Sequence, residues 1–328
     1  RSTLFPYTTL FRSLAVPQSP SKGIPGNSVS TNVGSMVNSG IEATISYNAI
    51  RSTDFDWTVS LNFTTQKNEV LSLGADGADI QGATSGLEIA NVTRVGESLG
   101  SLYLVQTAGV NPANGQRIFL RRDIKDGVAT YTQVQYNHAA PAASRWTLVS
   151  DGTPTAAVSV ANSGVVFGPT LPTYYGGFDN TFRYKSIDLG IMFQFSGGNY
   201  LYNGTKAGLR DQRQWNNHTD VLDRWTPQNT TGSIPRVVFG DNVSNGSAFP
   251  ITENLEKGDF IRLRNVTLGY NLPKSLMSTL KISNVRVYGQ VQNAFLITDY
   301  TGSDPEISSN GDTNIAPGVD RNSVGQGR

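Results

Sequence analysis

Two neighbouring stretches decide the fold: Ile41-Glu42-Ala43-Thr44-Ile45-Ser46-Tyr47-Asn48-Ala49 and Phe55-Asp56-Trp57-Thr58-Val59-Ser60-Leu61-Asn62-Phe63. In both, every odd position is apolar or aromatic and every even position is polar, nine positions without an exception. Alternation with period two sends consecutive side chains to opposite faces of a strand, whereas a helix would scatter the same residues round its axis. Arg51-Ser52-Thr53-Asp54 between them is short enough to make the pair an antiparallel hairpin.

The pattern returns twice. Tyr174, Gly176, Phe178, Asn180, Phe182 and Tyr184 share one parity. After Lys185-Ser186, Ile187, Leu189, Ile191, Phe193 and Phe195 alternate with Asp188, Gly190, Met192 and Gln194. A third pair runs about Asp259 to Tyr270 and Asn284 to Phe295. In its first strand Ile261 and Leu263 occupy one parity, and Val266, Leu268 and Tyr270 the other, so a β-bulge is expected near Asn265. Between the two strands, Pro273 followed by Leu276, Met277 and Leu280 predicts a short helical turn.

Composition narrows the possibilities. With 26 Lys and Arg against 25 Asp and Glu in 328 residues, the net charge of +1 gives no electrostatic reason for a nucleic-acid partner. The absence of cysteine excludes disulfides, thiolate metal sites and cysteine nucleophiles. No apolar run reaches the length of a membrane-spanning helix, which leaves a spanning β-barrel open.

The runs match the length a tilted strand needs to cross a bilayer, with aromatics at their ends (Tyr47, Phe55, Trp57, Phe63, Tyr184, Tyr270, Phe295). Connections alternate between short (51–54, 185–186) and long (66–173, 198–258). Short turns on one side and long loops on the other is the outer-membrane barrel arrangement. In lipid every backbone group is paired internally, so a chain without spanning helices must cross as a closed barrel. The reading is therefore all-β, an antiparallel transmembrane β-barrel segment. Its apolar parity faces lipid, and its polar parity (Glu42, Thr44, Asp56, Ser60, Arg286, Gln290 and Gln292) faces the lumen. The alternative is a soluble sandwich with one buried sheet face. Residues 1–13 repeat Thr-Leu-Phe between flanking Arg-Ser pairs, look like translated sequencing adapter, and are set aside as non-native. Residues 14–328 are then expected to be a fragment, since six strands are too few to close a barrel.

Several motifs, in order, resemble the C-terminal third of the SusC/RagA family of TonB-linked outer-membrane transporters. They are Asn38-Ser39-Gly40-Ile41-Glu42, Phe55-Asp56-Trp57 with Asn68-Glu69-Val70-Leu71-Ser72-Leu73, Gly96-Glu97-Ser98-Leu99-Gly100-Ser101-Leu102-Tyr103, Asp223-Arg224-Trp225-Thr226-Pro227-Gln228-Asn229, and Phe260-Ile261-Arg262-Leu263-Arg264-Asn265-Val266-Thr267-Leu268-Gly269-Tyr270. Tyr300-Thr301-Gly302-Ser303-Asp304-Pro305-Glu306 completes the set. The resemblance implies part of a 22-stranded barrel, with the plug outside this segment. It implies a parent protein that imports glycans or peptides across the outer membrane of a Bacteroidetes-type cell. It further implies a SusD-type surface lipoprotein as lid and the TonB complex reached through an N-terminal part. The rival is a cell-surface structural or adhesive β protein without transport.

No enzyme motif, cofactor site or metal site is expected. His138 and His218 stand in loops without a triad or zinc constellation and are read as exposed. Asp123 and Asp126 flank Lys125, which disfavours calcium, and are read as a solvated loop. Ligand or lid contact is assigned to Tyr200, Tyr202, Trp215 and Trp225 in the long loops. For Trp225 the equal alternative is packing that orders its loop. Arg262 and Arg264 are read as partners of a plug or of lipopolysaccharide phosphate, and Asp304-Pro305-Glu306 as a turn.

Overall fold

The computed structural model of the protein describes residues 2–321 apart from 5–7, 18–19, 24, 26–27, 75–76, 85–86, 88, 214–215, 274–281, 284 and 311–315. The alternating runs form one antiparallel sheet: β1 (Ser28–Arg51), β2 (Phe55–Leu73), β3 (Tyr174–Tyr184), β4 (Ile187–Gly197), β5 (Phe260–Asn271) and β6 (Arg286–Thr298), paired in chain order. Both β1 and β2 run well past their alternating cores. The first long connection therefore begins after Leu73, and the extended hairpin packs Met36, Val70 and Leu73 against Leu99. Ser2–Leu4 and Thr8–Pro17 pair along the outer edge of β1. Such pairing uses main-chain groups that any extended segment offers to an open edge.

The register lines the apolar parity up strand to strand. Phe55, Tyr184, Ile187, Tyr270 and Val287 form the row beside the short turns. Above it Trp57 stacks on Phe182 with ring centroids 5.6 Å apart, and the indole N–H donates to Asn180 Oδ1 at 3.2 Å. Higher still, Phe63 and Phe195 stack across Gly176, whose missing side chain leaves room for the rings. Ile45, Tyr47, Leu268, Val291 and Phe295 on this face stay exposed. A soluble sandwich would cover such a face, and this one is open as a lipid-facing wall must be. Ser52 closes the first short turn, its hydroxyl donating to the Phe55 carbonyl and accepting from the Phe55 amide.

The bulge predicted near Asn265 lies at Arg264, where the register steps from Leu263 to Asn265 against both neighbouring strands. A second bulge in β6 faces it, with Asn293 in the left-handed region at φ 49°, a conformation asparagine tolerates. The expected helical turn at Leu276, Met277 and Leu280 lies outside the described residues.

The long connections are folded and share one core. One four-stranded sheet joins Ile80–Ala83, Ile89–Thr93, Ser101–Val105 and Gly164–Gly168; another joins Thr107–Val110, Arg117–Lys125, Val128–Tyr136 and Trp146–Leu148. Val105, Phe119 and Val134 from the first connection pack with Phe249 and Ile251 from the second. A second cluster places Tyr202 against Leu102, Leu104 and Val319. The buried core thus sits in the loops, because the sheet spends its apolar side chains on its outer face.

Candidate functional site: the polar sheet face and the loop unit above it

The register puts Glu42, Thr44, Asp56, Ser60, Arg286, Gln290 and Gln292 on one face, opposite the aromatic rows. Neighbours on this face satisfy one another. Ser46 and Ser60 hydroxyls lie 2.9 Å apart, Asp56 pairs with Arg183 opposite it, and Gln290 donates to Asn265 Oδ1 at 2.6 Å. Arg286 reaches across β5 to Asp188, Nε to Oδ1 at 3.1 Å, over Gly269, where a side chain would collide with both groups.

Where β5 enters the loop unit the bulge adds a charge cluster. Arg262 is almost fully buried and donates to Asp304 Oδ1 at 2.7 Å; Glu306 accepts from Arg264 at 2.8 Å and lies 3.0 Å from Arg262. Both arginines thus bind carboxylates of their own chain. Asp304-Pro305-Glu306 is the turn expected, and it is also their anchor. This cluster holds residues 304–308 over a cavity of about 770 Å³ between the strand ends and the loops.

The loop aromatics divide. Tyr202 is fully buried, its hydroxyl donating to the Gly246 carbonyl at 2.9 Å, so it offers no surface to a ligand or lid and the contact expectation is corrected. Burial pushes its phenol up to about 12. Tyr200 is partly buried against the same cluster. Trp225 lies against Gly115, with its indole N–H donating to the Pro112 carbonyl at 2.9 Å, so it stitches the second loop to the first, as the packing alternative has it. Trp215 lies outside the described residues.

His218 is exposed, as expected, while His138 is half-buried beside the Tyr136 hydroxyl at 3.1 Å. Asp126 and Gly127, both at positive φ, form the tight turn between Arg117–Lys125 and Val128–Tyr136. Asp-Gly at such a turn is a hairpin signal that a reading as plain loop passes over. No cluster of three metal-ligating side chains occurs among the described residues.

No family model matches the chain. TonB-dependent receptor P3 of Formosa agariphila is 30% identical over 288 residues, covering 86% of this chain and 26% of the relative. TonB-dependent receptor SusC of Bacteroides thetaiotaomicron is 28% identical over 304 residues, 87% of this chain and 26% of that protein. The chain is homologous to these TonB-dependent receptors over most of its length. It spans about a quarter of the length of these relatives, which are named as receptors, not enzymes. The fold matches the structure of the RagAB peptide transporter with a TM-score of 0.70 at 22% identity, over 94% of this chain and 30% of that one.

In the second long connection, Arg210 Nε donates to Asp220 Oδ2 at 2.7 Å. Burial alone would raise the Asp220 carboxyl, but the hydrogen bond and charge of Arg210, helped by His218, outweigh it and leave the group below its ordinary value. A depressed carboxylate contributes stability above its unfolded value that is lost as pH falls through the folded one. The loop unit is therefore expected to hold at pH 7 and to loosen below about pH 4. Tryptophan fluorescence of the full receptor against pH measures this, and Asp220→Asn should reduce the acid transition.

Proposed function

We propose that the receptor containing this segment imports glycans or peptides across the outer membrane of a Bacteroidetes-type cell, driven through TonB and working with a SusD-type lipoprotein lid. The observation that carries this is the continuous sheet, apolar and open on one face and hydrogen-bonded and polar on the other. The polar face is the lumen wall on this reading, with Glu42, Asp56 and Arg286 along the solute path. The loop unit stands at the outer end, where solute and lid arrive, and Trp225 serves the lid by ordering the second loop.

The test is made in cells. Deleting the receptor gene is expected to lower accumulation of the labelled nutrient to the level of a TonB-deficient strain. Excising residues 219–231 from the full receptor is expected to cut co-purification of the lid lipoprotein at least about tenfold while the receptor stays in the outer membrane. Unchanged uptake across a glycan and peptide panel in the deletion strain would favour the adhesive alternative instead.

A further inference from the structure

Residues 305–308 form a short bridge that is fastened firmly at both ends and lightly in between. Before it, the buried Asp304 is fixed by Arg262, which donates to Oδ1 at 2.7 Å. After it, the Ser309 amide donates to the Val319 carbonyl at 2.7 Å. Asn310 Nδ2 donates to Thr84 Oγ1 and to the Ala316 carbonyl, both at 2.8 Å. Between these anchors Pro305, Glu306, Ile307 and Ser308 line the cavity of about 770 Å³ over the polar face. The bridge's own amides reach no strand: Glu306 N–H donates to Asp304 Oδ1 at 2.9 Å, and Ile307 N–H to the Asp304 carbonyl at 3.3 Å.

The polar hold on the middle of the bridge is one side chain. Glu306 accepts from Arg264 at 2.8 and 3.0 Å, lies 3.0 Å from Arg262, and accepts from Gln194 at 3.4 Å, so it ties the bridge to β4 and β5. The Arg264 and Glu306 side chains are each 22% exposed, whereas those of Arg262 and Asp304 are each 3% exposed. Water and salt therefore reach the first pair and not the second. Burial of Ile307 adds to the hold. Ser308 works against it, because its Oγ is buried with no hydrogen-bond partner. Such a hydroxyl carries a desolvation cost that is returned when water reaches it. We infer that residues 305–308 are a strap over the cavity, latched by Glu306 and hinged on the buried pair of Arg262 and Asp304. Release of the latch lifts Ile307 and Ser308 from the cavity, hydrates the Ser308 hydroxyl and leaves the hinge in place. The device is conformational and stands whether or not the receptor imports a solute.

The test is hydrogen exchange followed by mass spectrometry on the full receptor in detergent micelles, with rates corrected for sequence. Glu306→Gln keeps the shape and removes the charge, and is expected to speed exchange in residues 303–310 about tenfold. Ser308→Ala removes the unpaired hydroxyl and is expected to slow it about threefold. Raising NaCl from about 0.05 M to about 1 M, which shortens the screening length to about 3 Å, should speed strap exchange in the wild type and leave Glu306→Gln unchanged. The buried strand Ser101–Val105 serves as the control and should keep its protection throughout. Exchange in Glu306→Gln equal to the wild type, no slowing by Ser308→Ala, or a salt response that survives in Glu306→Gln would each overturn the inference. Loss of protection at Ser101–Val105 in step with the strap would do so too, since the whole loop unit would then be loosening.

Discussion

Arg262→Ala is expected to destabilise the loop unit by about 3–5 kcal/mol, because it leaves Asp304 buried without its cation. Both side chains are 3% exposed, and Asp304 Oδ1 has Arg262 at 2.7 Å. Its remaining partner is the Glu306 amide at 2.9 Å, too little to hold a buried carboxylate. The double replacement Arg262→Met with Asp304→Leu should recover most of the loss, since a buried ion pair is often matched by apolar side chains of similar volume. Guanidinium unfolding of the full receptor in micelles, followed by fluorescence, measures both. Equal losses in the single and double variants would show that the cluster contributes something other than paired charge.

Phe119→Ala is expected to cost about 3–5 kcal/mol, the range for emptying a large aromatic site in a packed core. Phe119 is fully buried, edge-on to Trp146 at 5.1 Å and tilted against Phe249 at 6.1 Å. Since Trp146 belongs to the first connection and Phe249 to the second, both loops should loosen together. Limited proteolysis should show new cleavage in residues 107–148 and 240–252 at the same protease concentration. Cleavage confined to the first region would mean that the loops fold independently.

Much of this was legible from local residues. The faces of β3, β4 and β6 follow from simple alternation, and the parity conflict between Leu263 and Val266 located the bulge to within one residue. The loops were harder. Their strands are short, and the paired sequence separations are large: Trp225 meets Pro112, and Val105 meets Ile251. An aromatic in such a loop reads the same whether it ends as Tyr202, buried in a core, or on the surface.

What the sequence by itself determined is the two-faced sheet and its kinship, because a strand's period of two is a property of the backbone and writes itself into every second residue. What only the tertiary structure decided is who partners whom at the strand ends. Arg262 finds Asp304, and Trp225 finds Gly115. Those outcomes depend on packing between distant segments, for which no local periodicity exists.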